Sequence, residues 1–308
     1  MKTSLVMATY NGLKYIEEQL ESIRLQSQSL DEVLIADDGS NDGTVEFIES
    51  YIKKFNLTWE LISNPQNLGW RKNFIELLKR SSGDIIFLSD QDDIWNLEKV
   101  KIMTEKMKNR PEIWLLASDF REKFENEGRP EQKHKFDFTD SEGLKKVNMS
   151  LKNLRQLRPG NCDVVRKELL PLAFDFFALN PETPHDVCLE WTAKAIGRHY
   201  IFPEALVDWR KYESSSYRKE IPESLFKGTI KVHQQYSRLY KNLLDVTEKY
   251  QELILDYQQI KPLIEMKKQQ YDDIVNYLKS KSLLAPLKVF KRSGILKTLN
   301  LIRIKLFK

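Results

Sequence analysis

The chain of 308 residues is poor in soft metal ligands, with two cysteines, Cys162 and Cys188, and four histidines. Neither cysteine has the paired spacing of a zinc or iron–sulfur site, so both read as reduced thiols of a cytosolic protein. No uninterrupted apolar run is long enough to cross a bilayer, and no signal peptide is expected, because Met1-Lys2-Thr3 leads straight into an apolar strand pattern. Internal repeats and low-complexity tracts are missing too. So are acidic residues at the C-terminus: none follows Asp273, whereas nine Lys and Arg do. The net charge of +4 hides this asymmetry, which points to an anionic surface as partner of the tail. What is present, 41% hydrophobic and 31% charged residues, suits a folded protein with one substantial domain and an appendage.

The stretch from Asp84 to Trp95 is the most informative in the chain. An apolar run, Ile-Ile-Phe-Leu, ends in Asp90, Asp92 and Asp93, three carboxylates within four positions. Like charges this close repel unless a cation or several donors neutralise them. Hard oxygen ligands at a strand end suit Mg²⁺ or Mn²⁺, which takes one or two carboxylates plus substrate phosphates. A plainer reading is an acidic turn in which Asp93 or Asn96 caps a helix beginning near Leu97. A cap, however, needs one carboxylate and not three.

Around this cluster the first 120 residues alternate strand and helix patterns. Residues 4–8, 32–36, 58–62 and 85–88 read as strands, and 15–25, 44–55 and 72–79 as helices. That alternation implies an α/β fold with a mostly parallel sheet and flanking helices, whose ligands sit beyond the carboxyl ends of the strands. Three polar clusters fall at such ends: Thr9-Tyr10-Asn11, Asp37-Asp38-Gly39-Ser40 and the acidic triplet. One Asp of the Asp37-Asp38 pair is explained by turn chemistry, and the other is free to accept the N3–H of a pyrimidine base on which Tyr10 stacks. Together the clusters describe a nucleotide-sugar cradle, with the diphosphate over a metal. Residues 121–158 are polar and read as a loop or lid. A break at 181–184 precedes His185-Asp186, which looks like a helix start.

From Glu223 the pattern changes. Tyr236, Leu239, Leu243, Val246, Tyr250, Leu253, Tyr257 and Ile260 recur in steps of three and four, a heptad seam that continues after Pro262 has kinked or restarted the helix. This is either a helical hairpin packed on the catalytic domain or a coiled coil that makes a homo-oligomer. Residues 285–308 place Leu287, Phe290, Ile295, Leu299, Ile302 and Leu306 along one face of a basic helix, which suits an anionic membrane surface. No nucleic-acid motif accompanies the basic tail, so nucleic acid is not expected as a partner.

Val6-Met-Ala-Thr-Tyr-Asn11, Ala36-Asp-Asp-Gly-Ser40, Asn67-Leu-Gly69 and Ser89-Asp-Gln-Asp-Asp-Ile-Trp95, in that order and spacing, resemble a family 2 glycosyltransferase of the GT-A fold. The form of the last motif, with His185-Asp186 after it, is similar to the bacterial rhamnosyltransferase-like branch. The resemblance implies a GT-A catalytic domain over 1–217 and an all-α region over 223–308, with heptad helices at 223–282. It implies an inverting transfer of L-rhamnose from dTDP-rhamnose, or of galactose, glucose or N-acetylglucosamine from a UDP donor. The acceptor would be a lipid-linked cell-surface polysaccharide precursor, and the protein cytoplasmic and peripheral on the inner face of the bacterial membrane. A non-catalytic scaffold of polysaccharide assembly is the alternative.

By the same resemblance Thr9, Tyr10, Asn11, Asp38, Arg71 and Asp90 bind the nucleotide sugar, and Asp90 and Asp92 hold Mg²⁺ or Mn²⁺. Asp186 takes the proton of the acceptor hydroxyl, with an N-cap as its plainer explanation. Gly160, Asn161, Asp93 and Trp95 lie on the acceptor side. One departure stands out: where relatives carry Arg-x-His to complete the metal shell, this chain has Arg210-Lys211-Tyr212. His185, His199 or water would then substitute. His134 is expected in a loop and His233 on a helix surface.

Overall fold

The computed structural model describes residues 1–124, 140–141, 143–147, 149, 158–212, 230–254 and 256–280. The chain divides into two compact units, Met1–Tyr212 and Glu213–Lys308. The basic tail, His134 and much of the segment read as a lid lie outside the described residues.

The first unit is built on one sheet. Strands β1 (Thr3–Thr9), β2 (Glu32–Asp37), β3 (Glu60–Ser63) and β4 (Ile85–Ser89) are parallel, in the order β3-β2-β1-β4. Helices α1 (Ile16–Arg24), α2 (Thr44–Lys54) and α3 (Trp70–Arg80) make the crossovers. Leu5, Val6 and Met7 are successive in β1 and all 0% exposed, so both faces of this strand are covered. That is why β1 and β4 read as continuous apolar runs rather than alternating ones. Ile16, Leu20 and Ile23, the apolar stripe of α1, are buried as their spacing predicts.

Beyond β4 the sheet becomes mixed. β8 (Asp163–Arg166) runs antiparallel between β4 and β6 (Leu115–Phe124), while β9 (His199–Lys211) is parallel to β6. Two short strands, β5 (Ile94–Trp95) and β7 (Lys145–Lys146), pair antiparallel with β9. β6 continues to Phe124, past the point where a loop is read from the sequence. β9 carries no strand signal in the sequence, because Pro203 and Glu204 interrupt it. They fall in a register shift between Ser118↔Phe202 and Asp119↔Ala205, a bulge that accommodates a proline the regular ladder would not. Helices α4 (Lys99–Asn109), α5 (Leu170–Leu179) and α6 (His185–Ala195) complete the unit as described. This polarity brings the carboxyl ends of β1, β2, β4 and β9 and the amino end of β8 to one edge.

In the second unit, α7 (Ile230–Lys249) and α8 (Tyr257–Lys279) form an antiparallel hairpin. Near the turn Lys261 pairs with Glu248 at 2.8 Å; further along, the Tyr271 ring stacks on Tyr236 and Tyr240, centroids 5.1 and 5.6 Å apart. Leu239, Leu243, Val246, Ile260, Ile264, Ile274 and Leu278 of the heptad seam are buried. The helix breaks at 250–256, not at Pro262, which sits early inside α8. His233 is buried rather than superficial, its ring 5.8 Å from that of Tyr271. No described helix is long and apolar enough to cross a membrane.

Candidate active site

At the end of β2, Asp37 serves its own turn. It accepts the Thr9 hydroxyl at 2.8 Å, the amides of Gly39 and Ser40 at 3.1 and 2.8 Å, and the Ser40 hydroxyl at 2.6 Å. Asp38 is not left free, as the sequence reading has it. Its carboxylate accepts the amides of Leu68 and Gly69 at 2.7 and 2.8 Å and the Asn64 side chain at 3.0 Å, and the residue is 3% exposed. Asp38 thus anchors the loop that carries Asn67-Leu-Gly69, and a ligand would reach only the remaining lone pairs.

The loop after β1 is stitched to both neighbours. Tyr10 is 49% exposed at the rim. The Gln91 side-chain amide pairs with its backbone, accepting from the Tyr10 N–H at 2.8 Å and donating to the Tyr10 carbonyl at 3.0 Å. Gly12 makes this clasp possible, since a Cβ there would lie 2.2 Å from Gln91 Oε1. Asn11 adopts φ 47°, donates its amide to Ser40 Oγ at 2.8 Å and accepts the Asn41 amide at 3.0 Å.

The acidic turn between β4 and β5 has a different character. Asp93 is 1% exposed and accepts the Asn161 side-chain amide and the Arg210 backbone N–H, the latter at 2.9 Å. It does not cap α4, which begins with Glu98 at its N-cap. Behind it the buried Lys99 donates to the Asn161 carbonyl at 2.5 Å and lies 3.5 Å from the Trp95 ring centroid. Burial lowers the Lys99 pKa to about 7 even though Cys162, Asp163, Asp93 and Asp90 work to keep it charged. Asn161, Asp93 and Trp95, read as acceptor-side residues, are 1–2% exposed, and Gly160 is buried as well. Asn161 and Asp93 are joined by a hydrogen bond beneath the partly exposed Asp90 and Asp92.

Asp90 and Asp92 are partly exposed at the rim. Among the described residues no hydrogen bond reaches the Asp90 carboxylate. Burial, with Asp92 and Asp186 beside it, pushes its pKa up to about 7 against the pull of Lys99. The Tyr212 hydroxyl donates to Asp92 Oδ2.

Asp186 lies in the first turn of α6, whose N-cap is Pro184, so capping does not account for it. Its carboxylate accepts the Val187 amide at 2.8 Å. Burial and then Glu190 raise its pKa to about 6, opposed by Arg71 among others. Arg71 stacks on Trp70, 4.3 Å from the ring centroid. Asp90 thus has Asp92 and Asp186 as charged neighbours, and Asp186 has Arg71, at the sheet edge where β1 and β2 end in Tyr10 and Asp38.

A divalent cation fits this donor set. Among the described residues no three His, Cys, Asp or Glu side chains form a cage. Two carboxylates with water and phosphate oxygens are nevertheless what Mg²⁺ or Mn²⁺ requires. The unbonded Asp90 carboxylate, facing two others, is the observation that carries the fit. Neither histidine substitutes for the expected third ligand. His185 is stacked on Phe74 at 3.9 Å with Nε2 against Gly160, and His199 is buried at the start of β9, the opposite end of that strand from Tyr212.

The family model for glycosyl transferase family 2 matches residues 4–170. Over 99 residues the chain is 38% identical to the dTDP-rhamnosyl transferase RfbG of Shigella flexneri, covering 31% of this chain and 34% of that protein. Over 117 residues it is 32% identical to the abequosyltransferase RfbV of Salmonella typhimurium, covering 37% and 35%. The matched stretch thus spans about a third of each relative. Among solved structures, residues 1–349 of S. aureus TarS in complex with UDP superpose with a TM-score of 0.59 at 20% identity, over 99% of this chain and 90% of that one. At that identity the likeness is one of fold, of the GT-A type.

Proposed function

Because this chain belongs to glycosyl transferase family 2, we propose that its first unit moves one sugar from a nucleoside diphosphate to an acceptor hydroxyl, inverting the anomeric carbon. The observation that supports the reading is the nearness of Asp186 to Asp90: the Asp186 charge, with burial and Asp92, raises the Asp90 pKa, while burial and Glu190 raise that of Asp186. Asp186, held near 6, is ionised at neutral pH and still basic enough to take the acceptor proton as the oxygen attacks. Arg71 favours its charged form and would meet the diphosphate. Bound Mg²⁺ or Mn²⁺, held by Asp90 and Asp92, would supply the positive charge that the departing diphosphate needs. Thr9, Tyr10, Asn11 and Asp38 line the base side. Gln91 ties that side to the acidic turn.

The donor we favour is dTDP-rhamnose, supported by the identity to RfbG; a UDP-linked hexose is the second reading, supported by the fold shared with TarS. The acceptor would be a lipid-linked polysaccharide precursor at an anionic membrane surface, which the basic stripe of 285–308 suits. Two experiments test this. A panel of dTDP-rhamnose, UDP-galactose, UDP-glucose and UDP-N-acetylglucosamine should give Mn²⁺-dependent nucleotide release from one donor and none in EDTA; no release from any would favour a scaffold. Truncation after Ser282 should weaken binding to anionic liposomes, and unchanged binding would remove the membrane from the proposal.

A further inference from the structure

The geometry points to Tyr212 as a positioning residue that sets the Asp92 carboxylate for a divalent cation, the last member of a clamp by which the end of β9 holds the acidic turn. The inference rests on the metal-dependent reading above. Three carboxylates in four positions repel, and a turn carrying them must be restrained before a ligand arrives. Besides Asn161 on Asp93 and the Gln91 clasp on Tyr10, two residues at the end of β9 restrain the turn. Arg210 donates its backbone N–H to Asp93 Oδ1 at 2.9 Å and its Nε–H to the Asp92 carbonyl at 2.9 Å. Tyr212 donates its hydroxyl to Asp92 Oδ2.

The clamp is itself buttressed. The Tyr212 ring packs on Tyr15, centroids 4.8 Å apart, and the Arg210 guanidinium lies 4.8 Å from the same Tyr15 ring. Arg210 is further tied to Glu18 at 3.1 Å. Tyr15 and Glu18 belong to the start of α1, so β9 and α1 together aim the hydroxyl. With Oδ2 held by the Tyr212 hydroxyl, the Asp92 carboxylate is less free to turn before a cation arrives. A ligating carboxylate fixed by an outer hydrogen bond binds more tightly because less freedom is lost on coordination. The ring packing does not depend on the hydroxyl, and a phenylalanine would preserve it.

The test uses the full chain and Mn²⁺, with free ion followed by electron paramagnetic resonance in the presence of dTDP or UDP. Tyr212→Phe should weaken Mn²⁺ binding by about tenfold or more, the usual cost of losing such an outer partner. Asp92→Asn should weaken it further, and Tyr212→Phe added to Asp92→Asn should change nothing, since the tyrosine acts only through that carboxylate. Nucleotide binding in EDTA should be unaltered in Tyr212→Phe. Unchanged or tighter Mn²⁺ binding, additive losses in the double variant, or a parallel fall in metal-free nucleotide binding would each overturn the proposal. If the unaltered chain binds no Mn²⁺ with either nucleotide, the metal-dependent reading itself fails, and the clamp with it.

Discussion

At the end of β2, Asp37 and Asp38 accept seven hydrogen bonds between them, whereas at the end of β4 no donor among the described residues reaches the Asp90 carboxylate. Both are Asp-rich turns on strands that flank β1, at the same edge of the sheet. The first spends its charge on its own backbone and on the 64–69 loop, and so builds the rim. The second keeps charge in reserve, next to Asp186, at a cost in stability that a bound cation and diphosphate would offset. Unrelieved like charge in a mouth is the mark of a site that waits for a ligand.

The contrast breaks most sharply at Asp186. Asp186→Asn should lower transfer by about a thousandfold, within the range for a lost general base, and leave donor affinity nearly unchanged in a binding titration. Equal loss of binding would make Asp186 structural. Next comes Asp38→Ala, which leaves three donors unanswered and should destabilise the fold by about 2–4 kcal/mol in denaturant melts. A milder effect should appear in the pH profile: turnover at saturating donor should fall roughly tenfold per unit below about pH 6 as Asp186 takes up its proton.

The two turns should also respond oppositely to neutralisation. The Asp90 carboxyl is raised from 3.8 to about 7, so the folded chain binds its proton more tightly than the unfolded chain does. That contribution to stability is present at low pH and is lost as pH rises through about 7. Metal-free melts of the native chain should therefore show a fall between about pH 5.5 and about pH 8 that shrinks in Asp90→Asn. At the upper pH Asp90→Asn should be the more stable protein by about 1 kcal/mol, while Asp37→Asn should be less stable than native. Smallest of all, Gln91→Ala should raise the donor KM about fivefold with kcat little changed, because two neutral hydrogen bonds between the base loop and the acidic turn are lost.

Much of this was legible in the sequence, for reasons that can be named. Continuous apolar runs mark strands buried on both faces, which is why β1, β2 and β4 and the polar clusters at their ends could be read directly. The spacing of Ile16, Leu20 and Ile23 fixed α1 in the same way. β9 escaped because Pro203 sits in a bulge and because its outer half alternates charged residues that look like loop. The clamp and the floor escaped for another reason. Gln91, Lys99, Asn161 and Arg210 have side chains that look superficial in a sequence, and only the fold reveals that three of them are buried and that their partners lie some 60 to 120 positions away. Asp38 looked free because its donors come from the loop at 64–69, which carries no charge to announce the contact. Proline is the strongest local punctuation and draws the expected break to Pro262, yet the chain turns earlier, where Gln251–Leu253 forms a short 3₁₀ segment.

Crystals grown with Mn²⁺ and dTDP or UDP, measured at the manganese absorption edge, would show whether Asp90, Asp92 and Asp186 surround one metal–diphosphate site. One anomalous peak beside Asp90 and Asp92 is expected, with the diphosphate next to it and Asp186 close by. A nucleotide bound elsewhere, or a peak remote from Asp90 and Asp92, would contradict that arrangement.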